Sequence, residues 1–348
     1  MNRKQRRQAG KAGGNTQPPQ KPVAATSISD RLLGLAGKQA MPGTAALPAA
    51  FAPDPVQSLL AAEKQKRQRE EEFARQSRAL AANPQSIPLL RSVAQLALRL
   101  DKRAEAGAAY AGLHALLPDD PEVAHMHAVL SGSAPARPDP AYVAGLFDAF
   151  ADTFDRTLTH WLEYRAPKLV ADAARAALVG IKAENACDLG CGTGLLGPEI
   201  RDLCTHLSGI DLSPRMIEKA RERKLYDALD VAEIVAWLQA RPAKFDLLLA
   251  ADVLAYFGAL EDAFAAIRAA LRPGGIFVAT VEADALRPDG FTAGKSGRYA
   301  HGEGYIRKLT ETAGPALESL ALQSLARETL RQEDAKPVAG YVFVLRAA

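Results

Sequence analysis

Cysteine, tryptophan and long apolar runs are what this 348-residue sequence has least of, and each shortage removes a class of protein. Three cysteines, Cys187, Cys191 and Cys204, cannot all pair, which argues against a disulfide-built extracellular scaffold and suits a reducing, cytoplasmic setting. Cys187 and Cys191 lack a second ligand pair for zinc. His125 and His127, two residues apart on a helical pattern, face different directions, so no metal is expected. No stretch of about eighteen apolar residues occurs, so nothing is expected to cross a membrane. After Lys11 the chain runs Ala-Gly-Gly-Asn-Thr-Gln-Pro-Pro-Gln, which is no secretory signal. Acid is missing from residues 1–29, where Arg3, Lys4, Arg6, Arg7, Lys11 and Lys21 stand alone; without those six, 37 basic residues face 40 acidic ones. A basic tail on a mildly acidic body does not suggest a nucleic-acid binder. An RNA-directed activity would instead show salt-dependent RNA binding that falls when Arg3 to Lys11 are removed.

The remaining composition, 48% apolar and 24% charged, supports a sizeable core and about two domains. One stretch carries chemistry: Ala186-Cys-Asp-Leu-Gly-Cys-Gly-Thr-Gly-Leu-Leu-Gly197 reads as a buried strand, a glycine turn and a helix starting near Leu195 with Pro198 in its first turn. A nicotinamide fingerprint, G-x-G-x-x-G, would need a third glycine where Leu195 stands, so that cofactor does not fit. The pattern present is acid-x-Gly-x-Gly-x-Gly from Asp188, with Gly190, Gly192 and Gly194 at alternate positions. About twenty residues on, Leu207-Ser-Gly-Ile-Asp211 reads as a second strand ending in an acid, where a carboxylate can accept ribose hydroxyls. Ser213 as N-cap and Pro214 at the first helical position open another helix.

These two motifs resemble those of the class I S-adenosylmethionine-dependent methyltransferases. The resemblance implies S-adenosyl-L-methionine as cofactor and an α/β, Rossmann-like, seven-stranded sheet with helices on both faces. It places Asp188 near the cofactor's amine, Asp211 on the ribose and Met216 near the adenine, with Gly190, Cys191, Gly192, Gly194 and Leu212 in cofactor contact.

Along the chain, residues 1–55 read as a disordered basic tail, and 56–80 as a charged helix with a solvated face. Pro84 and Pro118 stand thirty-four residues apart, the tetratricopeptide period, with Ala94 and Ala106 at the close helix contact and Tyr110 at the aromatic place. The whole of 56–132 is thus expected to be a short all-α, tetratricopeptide-like segment. With a single full repeat it packs on its neighbours, dimerises or offers a groove to a protein partner. Residues 133–140 read as a linker, and 141–348 as the methyltransferase domain.

Leu146, Phe150, Phe154 and Leu158 form one helical stripe, which is either a core face or, by resemblance, a lid in which Phe154 covers the cofactor. Leu229 to Glu233 reads as a third strand placing Glu233 at the adenine edge, although a helix from Asp230 to Ala240 competes for those residues. Phe245 to Ala251 is a fourth strand, followed by Asp252 and Tyr256 as site candidates; Asp252 could equally cap the next helix. Ile276 to Val281 is the fifth.

The irregular segment from Glu282 to Tyr305 holds Arg298, which suits an anionic group, and His301, which suits a proton acceptor; both could instead be surface loop residues. Gly297-Arg-Tyr-Ala-His301, Tyr164-Arg-Ala-Pro167 and the helical repeat resemble the predicted methyltransferases with tetratricopeptide segments, over roughly residues 84–348. Leu317 to Leu330 and Val338 to Leu345 read as a closing hairpin. His301, Tyr256 and Asp252 are the catalytic candidates for methyl transfer to a small-molecule or protein substrate. The alternative is a catalytically silent cofactor-binding scaffold that uses its helical repeat to bind a partner.

Overall fold

The computed structural model of the chain describes residues 55–158, 162–311, 320–333 and 336–348. The expected basic tail lies outside these, apart from its last residue. Helix α1 (Pro55–Ala82) is followed by α2 (Ile87–Arg99), α3 (Arg103–Leu116) and α4 (Pro121–Ser131). The charged face of α1 is exposed, whereas its Phe73 and Leu80 pack on a small core of Leu90, Ala94, Tyr110, Leu113 and Met126. Asp120 caps α4 by accepting from the Glu122 and Val123 amides, and Gly132 ends it in the left-handed region.

Residues 133–140, expected as a linker, are packed against the rest of the chain. The Ala136 carbonyl accepts from the Gly258 and Ala259 amides, and the Pro135 carbonyl accepts from Tyr299 Oη at 2.6 Å. Prolines remove donors from this stretch, and its free carbonyls are met by a turn that has amides to spare.

Beyond it come α5 (Pro140–Phe150), the single turn α6 (Phe154–Arg156) and α7 (Ala166–Leu178), then an alternation of β1 (Ala183–Leu189), α8 (Gly197–Ile200), β2 (Cys204–Asp211), α9 (Pro214–Glu222), β3 (Ala228–Val231), α10 (Ile234–Gln239), β4 (Phe245–Ala250), α11 (Glu261–Ala270) and β5 (Leu271–Ala283). The chain ends with β6 (Phe291–Ala293), β7 (Tyr299–His301), α12 (Glu303–Glu311), β8 (Leu320–Glu333) and β9 (Lys336–Ala347). The result is a mixed α/β, Rossmann-like sheet.

Among the described residues that sheet has nine strands, in the order β3-β2-β1-β4-β5-β7-β6, with β9 antiparallel to β5 and β8 paired to β9. The expected seven are therefore joined by two more. β4 ends opposite Ala279, and β7 pairs with β5 further along, at Glu282 and Ala283. Residues 282–305, read from sequence as irregular, thus contain the three-residue β6–β7 hairpin, too short for alternation to show.

Apolar runs alternate across the sheet. Leu247 and Leu249 face α7, while Leu248, Phe277 and Phe343 face α10, α11 and α12, so helices cover both faces. The hairpin also reaches the helical segment: His125 Nε2 donates to the Gly297 carbonyl at 3.0 Å, and Lys295 pairs with Asp101 at 2.7 Å.

Candidate functional site

β1 and β2 are parallel, with Asp188 opposite Gly209, so Asp188 and Asp211 lie at the same, C-terminal end of the sheet. Between them the turn is folded by glycine: Gly190 and Gly192 have φ of 65° and 54°, and a Cβ on Gly190 would lie 2.6 Å from Val253 Cγ2. The Cys191 amide donates to the Ile210 carbonyl at 2.8 Å, which ties the turn to β2. Asp211 completes the turn by accepting from the Gly192 amide at 2.9 Å and the Ser213 amide at 2.8 Å. Burial still outweighs these donors and pushes the Asp211 carboxyl up to about 6. Asp188, 1% exposed, accepts from Tyr226 Oη at 2.7 Å, and burial pushes it up to about 7.

Both acids line a cavity of about 240 Å³ together with Gly190, Cys191, Gly192 and Leu212. Phe154 also lines it, packed edge-on against Phe147 and Phe150, so the helical stripe is both a core face and a roof. The roof is clasped from outside. Asp148, Asp152 and Asp155 recur at helical spacing, as do Arg215, Lys219 and Arg223 on and just after α9. Ser213 Oγ donates to Asp148 at 2.5 Å, Arg215 Nη2 to Asp152 at 2.6 Å, and Thr193 and Arg223 both donate to Asp155.

Past the glycine turn the cavity continues between Phe147, Phe150, Tyr164 and Tyr256 to a far wall formed by Gln95, Leu98 and Arg99 of α2 with Lys295 and Ser296 of the β6–β7 hairpin. Its floor is an ion cluster. Asp252, at φ 62°, accepts from Arg298 Nη2 at 2.5 Å and Arg331 Nη1 at 3.3 Å. Glu282 accepts from Arg298 Nε at 2.5 Å and Arg331 Nη2 at 2.6 Å. Burial alone would raise Glu282, but the two guanidinium groups prevail and hold it down at about 2. Tyr256 Oη accepts from Arg298 Nη1 at 2.8 Å. Asp252 therefore caps no helix, and Arg298 is committed to carboxylates rather than held open for an anion.

Four expectations need correction. His301 does not reach the cavity: it is 0% exposed, Nε2 donates to the Gly258 carbonyl at 2.9 Å, the ring stacks on Tyr305, and burial lowers its pKa. Strand alternation on β7 turns both Tyr299 and His301 inward. Met216 is fully buried in the first turn of α9, where its amide donates to the Ser213 cap, and it does not line the cavity. Gly194 is off the wall as well, behind Tyr226. Finally, β3 stops at Val231, and Glu233 caps α10 by accepting from the Val235 and Ala236 amides while pairing with Arg137, although it still lines the cavity.

The helix expected from Leu195 is the single turn α8, since a short 3-10 stretch at Arg201–Leu203 already leads into β2. Tyr226, Arg331 and the α2 wall were missed: a lone Tyr in a connection and a lone Arg in a strand carry no spacing signal. Among the described residues there is no cluster of His, Cys, Asp and Glu suited to a metal, and no helix is long and apolar enough to cross a membrane.

Residues 187–277 match the family model described as "Methyltransferase domain". The chain is similar to a malonyl-[acyl-carrier protein] O-methyltransferase of Enterobacter lignolyticus (strain SCF1), 31% identical over 40% of this chain and 55% of that protein. It is also similar to a ubiquinone biosynthesis O-methyltransferase of Xanthomonas campestris pv. campestris (strain B100), 34% identical over 31% of this chain and 46% of that protein. The chain thus spans about half the length of these curated relatives. Among solved structures, the Burkholderia thailandensis 1,6-didemethyltoxoflavin-N1-methyltransferase with bound 1,6-didemethyltoxoflavin and S-adenosylhomocysteine is 20% identical, with a TM-score of 0.47, over 62% of this chain and 92% of that one. An acid before the glycine turn and a second acid closing β2 thus lie within the stretch, from β1 to β5, that is similar to the methyltransferase domain family.

Proposed function

We propose that the protein transfers the methyl group of S-adenosyl-L-methionine to a small acceptor held in the aromatic part of the cavity. The observation that carries this reading is continuity: one cavity is lined both by Asp188 and Asp211 and by the aromatic residues, α2 and the β6–β7 hairpin. In this reading Asp188 takes the α-ammonium group, Asp211 the ribose hydroxyls, and Leu212 and Phe154 flank the nucleoside, with Glu233 at its far edge. When bound, the cofactor would supply a sulfonium-activated methyl to an acceptor that has already lost its proton, with S-adenosylhomocysteine as the leaving group. Holding the reactants in line and excluding water supply most of the rate. Tyr256 and Asp252 shape the chamber, each accepting a hydrogen bond from Arg298.

The two curated relatives named above are O-methyltransferases, so hydroxyl and carboxyl acceptors come first in a screen. Titration calorimetry should give micromolar binding of S-adenosylhomocysteine, and an acceptor screen should yield it from S-adenosylmethionine. No binding at 1 mM would refute the reading, whereas binding without turnover on any acceptor would favour the scaffold. We assign residues 141–348 to the catalytic domain and 56–132 to a tetratricopeptide-like segment that serves this domain as a wall. Three unpaired, buried cysteines suit a cytoplasmic setting.

The clasp on the roof makes a modest prediction. Asp152 and Arg215 side chains are 63% and 46% exposed, so their pair is weak and is screened by salt. Raising NaCl from 0.05 to 0.5 M should speed S-adenosylhomocysteine release about twofold to fivefold, read by stopped-flow fluorescence. Asp152→Lys should show the faster release at low salt and lose most of the salt response.

A further inference from the structure

Tyr226 stands in the connection between α9 and β3, and its ring fills a slot left by missing side chains. A Cβ on Gly194 would sit 2.9 Å from its Cε2, one on Gly197 3.1 Å from the same atom, and one on Gly209 2.9 Å from its Cδ1. Gly194, the third of the evenly spaced glycines, is absent from the cavity wall; its left-handed backbone, at φ 82°, and the tyrosine ring account for it without a ligand. At the end of that ring the hydroxyl donates to Asp188 Oδ2 at 2.7 Å. On the other side Arg223 donates through Nε to the Thr193 carbonyl at 2.6 Å, pinning the helix end from which Tyr226 emerges.

We propose that Tyr226 is a positioning residue for the cofactor's α-ammonium group: seated against Gly194 and Gly209, it holds the Asp188 carboxylate by one oxygen and leaves the other to the cavity. This rests on the assignment of Asp188 to the cofactor's amine. Its consequence is electrostatic as well as geometric. The titratable groups around Asp188 are Asp211 on β2 and the neutral Cys187 and Cys191 thiols and Tyr164 phenol; burial and Asp211 disfavour its charge, while the Tyr226 hydrogen bond favours it. Near neutral pH the fraction of ionised Asp188 therefore depends on that phenol, and only the ionised form attracts an ammonium.

The test is Tyr226→Phe in the full chain, which keeps the ring and removes the hydroxyl. Wild-type affinity for S-adenosylhomocysteine should rise as pH increases through about 7, where Asp188 ionises. In the variant that rise should shift to higher pH, with binding about fivefold weaker at pH 7 and nearly restored at pH 8.5. Its thermal midpoint should stay close to wild type, whereas Tyr226→Leu, which empties the slot, should lower it. Equal affinity and an equal pH profile in the phenylalanine variant would overturn the proposal. Carbon-13 NMR titration of the Asp188 carboxyl in ligand-free protein separates this from the cofactor reading. An unchanged midpoint in Tyr226→Phe refutes the role of Tyr226. A shifted midpoint in a protein that ignores S-adenosylhomocysteine refutes the assigned function alone.

Discussion

Arg331→Leu is expected to destabilise the fold by about 3–5 kcal/mol at pH 7, because it strips a buried ion cluster of one cation and leaves carboxylates uncompensated. The Arg331 side chain is 5% exposed and donates to Asp252, Glu282 and Glu333. Leucine fills the space without restoring any of those bonds. The sign of the pH dependence follows from Glu282, whose carboxyl the two arginines hold at about 2 against 4.5 when free. A carboxyl lowered by folding contributes stability that is present above about 4.5 and lost as pH falls toward 2. Removing one arginine raises Glu282, so the loss should be largest at neutral pH and shrink by pH 4, where the orphaned carboxyl can take a proton. Urea unfolding at the two pH values checks this; a loss below 1 kcal/mol, or one equal at both, would show that the cluster is held by packing.

Asp211→Ala should weaken S-adenosylhomocysteine binding by about 100-fold or more, the largest effect on the ligand side. Each hydrogen bond to a charged group contributes about 1.5–3 kcal/mol, and the ribose offers two hydroxyls. The same change orphans the Gly192 and Ser213 amides, so a stability loss of about 1–2 kcal/mol should accompany it. Asp211→Asn separates the two effects. Its amide oxygen can still accept from one backbone N–H, so most of the stability should return while affinity stays low. Calorimetry giving wild-type affinity for either variant would remove Asp211 from the cofactor site.

What could be read in the sequence was local. Asp188, the glycines and Asp211 lie within one strand-turn-strand unit, and Ser213-Pro214 announces its own cap, so spacing alone carried both the turn and the second acid. The strands of Leu247–Leu249 and Ile276–Val281 were legible because burial on both faces leaves an unbroken apolar run. Side chains whose partners lie far along the chain were not legible. Glu233 could end a strand or lie inside a helix from Asp230 to Ala240; it does neither, because β3 stops after four residues and the helix starts at Ile234 with Glu233 as its cap. His301 had the right chemistry for a base, yet its direction depends on how β7 pairs with β5, a register no pattern of three residues can state. Arg331 and Tyr226 act through residues 79 and 38 positions away, and periodicity reports which face a residue takes but never whom it meets there.

The β6–β7 hairpin and its bonds to the helical segment bear on the order in which the molecule can assemble. The cofactor turn is closed by a contact spanning only 19 positions, from Gly192 to Asp211. The far wall of the chamber is tied by contacts spanning 172 and 194 positions, His125 to Gly297 and Lys295 to Asp101. Closing such long loops is the slow part of folding. A nascent chain can thus hold a finished glycine turn before the opposite side of the cavity exists, and that side matures only when the hairpin docks on helices made long before it.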